Sequence, residues 1–173
     1  RAVDVRIDGF RVEKAPEWRG QRVFVRHEVD GKGYELRLSE ESAGTQKLMG
    51  LAAYLMAALE RGATVVVDEL DAKLHPKLLR YVILLFKDPE VNKSGAQLIF
   101  SSQDVSTMRN DVFRRDEIWF AARGEGEASQ LWSLADIHEA NGNLVSKNAA
   151  FDKQYLSGRY GADPYLTRIE EWD

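Results

Sequence analysis

Thr64-Val65-Val66-Val67-Asp68-Glu69-Leu70-Asp71 runs a β-branched stretch straight into two adjacent carboxylates. Branching at Cβ favours the pleated, packed setting of a strand, and an unbroken apolar run fits a parallel strand covered on both faces. In open α/β sheets, ligands collect at the carboxyl ends of the strands, so Asp68 and Glu69 stand where a nucleotide or a metal ion is expected. An acidic strand end can also do no more than cap the next helix. The flanking segments therefore decide the reading.

Before it, Glu41-Ser42-Ala43-Gly44-Thr45-Gln46-Lys47 is small and polar and leads into Leu48, Leu51, Ala52, Leu55 and Leu59 at helical spacing. Ser42 suits an N-cap and Gly62 a C-terminal stop. A helix start carrying Ser42, Gly44 and Thr45 offers free N–H groups, hydroxyls and a dipole suited to an anion such as phosphate. After it, Pro76 fits the first turn of a helix bearing Leu78, Leu79, Val82, Ile83 and Phe86. Lys87 to Gly95 reads as a loop, and Ala96-Gln97-Leu98-Ile99-Phe100-Ser101 as a second buried strand that ends in Ser102-Gln103-Asp104. Strand, helix, strand is a parallel crossover unit, which brings Asp68, Glu69 and Gln103 to one sheet edge.

The outer segments are antiparallel in character. Val3–Asp8 alternates until Gly9 breaks it, Gln21–Val29 alternates with Val23, Val25 and His27 on one face, and Asp30-Gly31-Lys32-Gly33 turns the chain into Tyr34–Leu38. Beyond the parallel unit, Glu117–Ala122 and Ser129–Leu134 read as a hairpin about Arg123–Glu127, each strand with a tryptophan. The tail from Asn143 starts as a helix with Leu144, Phe151 and Tyr155 as its apolar contacts and becomes irregular over Gly158–Pro164.

At 173 residues and 44% apolar content, the chain can bury one core, so a single domain is expected. No run is long enough for a membrane span, no secretory leader pattern is present and there is no cysteine, all of which point to the cytoplasm. A net charge of −4 is not the footprint of a domain that holds nucleic acid chiefly through its phosphates, although a local basic patch on Lys73, Lys77 and Arg80 stays open beside the simpler solvated face. His27, His75 and His138 lack metal-ligand spacing, with His75 expected at a helix start. Trp119 and Trp132 are expected in the core. Arg1 in place of methionine suggests a fragment of a longer polypeptide.

Ser42 and Asp68 stand 26 positions apart, and Glu69 and Gln103 stand 34 apart, each the length of a helix and a strand with their loops. In that order the segments resemble the carboxyl-terminal lobe of an ABC-type ATPase head, the group that includes structural-maintenance-of-chromosomes and RecF-like proteins. Most similar among families is that of the bacterial AAA-type, AAA15 or abortive-infection ATPases, some of them linked to anti-phage defence. The resemblance is carried by Glu41–Thr45 as signature loop, Val65–Glu69 as Walker B, Asp71–Pro76 as D-loop, Arg114–Phe120, and the tail Tyr155–Ala162. It implies an α/β fold with the parallel sheet core of a P-loop NTPase, a small antiparallel N-terminal meander, and a C-terminal β-hairpin plus helix.

The resemblance also implies roles. Asp68 would hold Mg²⁺, Glu69 would activate the attacking water, and Ser42, Gly44 and Thr45 would bind the γ-phosphate of an ATP held by a second protomer. Asp71 would lie at the dimer contact. At the switch position Gln103 stands where the family group has histidine; it can donate a hydrogen bond to a phosphate oxygen but cannot carry an imidazolium charge. No Gly-x-x-x-x-Gly-Lys-Ser/Thr occurs, and Gly31-Lys32-Gly33 lacks its spacing, so the Walker A lobe is absent from residues 1–173 and would come from another segment or chain.

Two functions are expected on these grounds. The first is an Mg²⁺-dependent ATPase, dimeric through ATP, acting in anti-phage defence and inactive as this piece alone. The alternative is a catalytically decayed scaffold or regulatory module for an effector nuclease. No membrane partner is indicated by the residues, DNA binding stays open, and no built-in nuclease motif follows the ATPase segments.

Overall fold

The computed structural model describes residues 5–14, 21–123, 128–139 and 142–161. β1 (Val5–Lys14), β2 (Gln21–Val29) and β3 (Lys32–Arg37) pair antiparallel in that order. Gly9 does not end the first strand: the register slips between Ile7 and Gly9 and pairing then continues to Lys14. One extra residue is accommodated as a bulge, which keeps the ladder and bends it. Asp30 (φ 50°) and Gly31 (φ 76°) make the two-residue turn into β3, whose strand twist demands left-handed backbone at both positions. β3 begins at Lys32, two residues before the expected Tyr34, and gives way at Leu38 to a short 3-10 turn.

Helix α1 (Ala43–Arg61) starts at the Ser42 cap and stops at Gly62, which is left-handed at φ 68°. The chain then forms β4 (Thr64–Val67), α2 (Pro76–Lys87) and β5 (Gln97–Phe100), with β4 and β5 parallel from Thr64↔Gln97 to Val67↔Phe100. His75 caps α2, its Nδ1 accepting from the Lys77 N–H at 3.1 Å, and Pro76 occupies the first turn. Leu55 of α1, Val67 of β4, Leu70 and Leu74 of the following turn, Leu79, Val82 and Ile83 of α2, and Val112 form one buried cluster, with Val65, Leu98 and Phe100 packed against it.

Both helices therefore cover the same face of the β4–β5 pair. The expectation of a strand buried on both faces fails here: Val66 is 72% and Ile99 56% exposed. Alternation along a strand sends neighbours to opposite faces, and among the described residues only the Val65/Val67 face has a helix layer. Leaving each of the two open forgoes roughly 1.5–3 kcal/mol relative to full burial.

A second cluster joins β6 (Trp119–Arg123) and β7 (Ser129–Ser133), an antiparallel pair, to α3 (Phe151–Leu156) through Ile118, Phe120, Leu134, Val145, Phe151 and Tyr160. Phe120 is its centre, stacked on Tyr155 at 5.7 Å and tilted against Tyr160 and Trp132. Phe113 packs against both clusters and lies 6.2 Å from Phe100, which ties the two cores together.

Trp132 takes its expected core place, but Trp119 is 57% exposed, its Nε1–H donating to the Asp116 carbonyl. The expected tail helix is shorter than the sequence suggests. It begins at Phe151 rather than near Asn143, and Leu144 is exposed in a bridge to His138. The hairpin tip at residues 124–127 and the tail from Ala162 lie outside the described residues.

Two outcomes follow. A Cβ on Gly62 would sit 2.2 Å from the Ser94 carbonyl oxygen, whereas one on Gly95, also left-handed at φ 72°, meets nothing within 4 Å. Gly62→Ala is thus expected to lower unfolding free energy by at least ~1 kcal/mol more than Gly95→Ala in denaturant titrations, since only the first adds a backbone clash to the strain. Burial, with the Glu139 charge second, pushes the Tyr160 phenol up to about 12. An unfolded tyrosine ionises near 10. Stability from this group is full below that pH and falls as pH rises toward 12, and Tyr160→Phe should flatten the decline in melts run across that window.

Candidate functional site

The site lies where β4 and β5 end together. The ladder continues past the strands, Ser101 N donating to Val67 O at 3.1 Å and Leu70 N to Ser101 O at 3.0 Å. That places the Ser101 hydroxyl between the two acids. It accepts from the Glu69 N–H at 2.7 Å and donates its own proton to Asp68 Oδ1. In the sequence Ser101 reads only as a strand terminus. The available signal was a hydroxyl one position past the partner of the acid-bearing strand.

Glu69 is left-handed, at φ 48°. For a residue with a side chain this costs about 1–3 kcal/mol and persists where the surroundings hold it. Here both ends of the residue are held: the N–H by Ser101, and the carbonyl by the Lys47 ammonium and by Ala72 N at 3.1 Å. Both acidic side chains remain exposed.

Asp71, expected at a dimer contact, is half-buried and turned toward its own chain. Its Oδ2 accepts from the Gln103 backbone N–H at 3.3 Å, and its Oδ1 is buried without a hydrogen-bond partner among the described residues. Gln103 is exposed, anchored through that backbone bond, with its amide side chain turned to solvent. Asp104 caps the short turn after it, accepting from Ser106 N at 2.7 Å. The structure thus brings Asp68, Glu69 and Gln103 to one edge, as the order of strand, helix and strand predicts, with Asp71 beside them.

The start of α1 joins this edge. Ser42 Oγ accepts from Thr45 N at 3.1 Å and lies 2.9 Å from Thr45 Oγ1, so both hydroxyls are committed to the cap and to each other. Gly44 has a packing reason beyond an accessible N–H: a Cβ there would lie 2.8 Å from the Lys73 carbonyl oxygen. The first helical turn therefore rests on the turn that follows β4, and Lys47 reaches from it to Glu69. Early helical N–H groups have no partner within the helix, and those of Ala43 and Gly44 remain after Thr45 is capped.

His27 serves this region indirectly. Its Nε2 lies 2.5 Å from Glu41 Oε1, and Gln46 Nε2 donates to Glu41 O at 2.8 Å, so the meander is pinned to the α1 start. Lys73, Lys77 and Arg80 do not make a basic face: Lys73 sits in the turn at φ 65°, and Arg80 pairs with Asp111 at 3.1 Å. In the Arg114–Phe120 segment, Arg114 pairs with Asp116 at 2.7 Å and holds its carboxyl below the usual range, while Glu117 meets Lys87 at 2.5 Å. The first contact is exposed and local, and the second joins the end of α2 to this segment.

Among the described residues no cluster of three or more His, Cys, Asp or Glu side chains is placed to hold a metal by itself. Asp68 nevertheless keeps one oxygen clear of Ser101, beside the exposed Glu69. One or two carboxylates completed by substrate phosphates and water is how Mg²⁺ is held in nucleotide sites, and this donor set fits it.

Comparison with known proteins bears on the same segment. A solved SMC ATPase, from work on ATP-driven dimerization and DNA-stimulated activation, is similar at 18% identity over 76% of this chain and 73% of that one, with a TM-score of 0.49, too loose a likeness to carry an argument. No curated protein matches the chain. The family model described as "AAA domain, putative AbiEii toxin, Type IV TA system" matches residues 2–109, which take in the meander, α1, both parallel strands and the loop bearing Gln103. That is more than half of the 173 residues, and the chain belongs to this AAA-domain family.

Proposed function

We propose that the chain supplies the signature and Walker B half of an Mg²⁺-dependent ATPase site. The observation that carries this reading is the Asp68–Glu69 pair held by Ser101 at the joined carboxyl ends of β4 and β5, inside the segment matched by the AAA family. Asp68 offers its free oxygen to the cation, directly or through water. When bound, Mg²⁺ neutralises charge developing on the phosphates. Glu69 orients the attacking water and takes its proton, with Gln103 donating to a phosphate oxygen.

Ser42, Gly44 and Thr45 face the γ-phosphate of an ATP held on a second protomer, so that nucleotide joins two copies. With both hydroxyls engaged in the cap, the backbone N–H groups of Ala43 and Gly44 are the donors best suited to that contact. Within its own chain Asp71 steadies Gln103. The β- and γ-phosphate cradle, with its lysine, comes from a P-loop lobe outside residues 1–173. The bare Val66/Ile99 face is a fitting seat for it. The family's description as a putative toxin of a type IV toxin–antitoxin system supports a part in anti-phage defence.

A second reading is an ATPase-like scaffold for an effector nuclease, its own site decayed. Gln103 in the switch position favours it, because glutamine lacks the charge of a histidine there. Turnover by the whole gene product separates the two readings.

In that gene product, Glu69→Gln should lower ATP turnover by roughly 10²–10⁴-fold while nucleotide still binds and the nucleotide-bound dimer accumulates, as read by phosphate release and size-exclusion chromatography. Turnover equal to the parent protein's would remove Glu69 from the chemistry. Gln103→His should leave nucleotide affinity near that of the parent and raise turnover if the switch position is in use; no change in either would favour the scaffold.

A further inference from the structure

We infer that Ser101 is a positioning residue that sets the two acids of the site in their separate roles; this rests on the ATPase reading above and deepens it. A serine hydroxyl has one proton to give and lone pairs to accept with. At Ser101 both capacities are assigned by the neighbours. The Glu69 amide can only donate, so Oγ accepts there, and the proton goes to Asp68 Oδ1. One oxygen of Asp68 is thereby occupied and the other left for a cation, which fixes the face of the carboxylate that points at the nucleotide.

The same bond stabilises the left-handed backbone of Glu69. In that conformation Glu69 leaves the alternation of β4, which would have sent it to the sheet face opposite Asp68. A cation ligand and a water-activating base have to serve one nucleotide, and the turn keeps both acids at the strand end where it would lie. Lys47 holds the far side of the same residue through its carbonyl, which makes the turn rigid from two elements. Ser101 touches neither substrate nor metal in this scheme and acts through Asp68 and Glu69.

The test uses the whole gene product with Ser101→Ala and Ser101→Thr. Threonine keeps the hydroxyl and suits a strand end, so it serves as the conservative rescue. With alanine, turnover should fall at least tenfold with KM for ATP changed less than threefold, and the Mg²⁺ concentration for half-maximal rate should rise. With threonine both should return to within threefold of the parent. Independently of turnover, hydrogen exchange at the Glu69 amide should quicken about tenfold in Ser101→Ala and not in Ser101→Thr.

Unchanged Glu69 exchange in the alanine variant would overturn the inference, as would full turnover there. A parent protein without ATP turnover would instead overturn the ATPase reading, and the exchange result would still decide whether Ser101 holds the turn. Thermal melts of both variants separate lost positioning from lost folding.

Discussion

Parallel pairing of Thr64–Val67 with Gln97–Phe100 is the constraint on which the site depends. Parallel strands finish at the same edge, and this pairing runs on through Ser101 before the chains part. A slip of one residue would turn Val65 and Val67 away from the helices and carry Ser101 past the acids it bridges. The apolar cluster and the polar edge are therefore fixed by the same register, the first by helix packing on Val67 and the second by hydrogen bonds to Ser101.

The turn after β4 is the second organising feature. It carries the acids outward, yet it also sends Leu70 and Leu74 into the core. Buried leucines on either side of Asp71 leave the turn little freedom, which is how left-handed backbone at Glu69 and Lys73 is maintained. α1 adds the opposing wall, with Gly44 against the Lys73 carbonyl and Lys47 on the Glu69 carbonyl. Core packing and the polar edge share these few residues.

Much of this was legible in the sequence. The caps at Ser42 and His75, the stop at Gly62 and the order of strand, helix and strand were readable because each rests on local stereochemistry. The alignment of Asp68, Glu69 and Gln103 followed from that order. What escaped was set by groups distant in sequence. Val66 and Ile99 carry the same apolar signal as their buried neighbours, and only the placement of α1 and α2 on one side tells them apart. Trp119 is exposed for the same reason, since alternation along β6 gave the inward place to Phe120. The bond from the Gln103 backbone N–H to Asp71 joins residues 32 positions apart, which no local pattern shows. Leu144 carries the apolar signal of a helical contact, but a bridge to His138 places it outside the helix.

The two-stranded sheet has a consequence for what can join it. Among the described residues β4 pairs with β5 alone, so its outer margin still offers a row of backbone donors and acceptors. Any strand that adds there is placed about 4.8 Å from β4 by hydrogen bonding and locked to a two-residue repeat. Backbone spacing then acts as a ruler: the carboxyl end of a newcomer running parallel is delivered next to Asp68 without a single side chain having to recognise it.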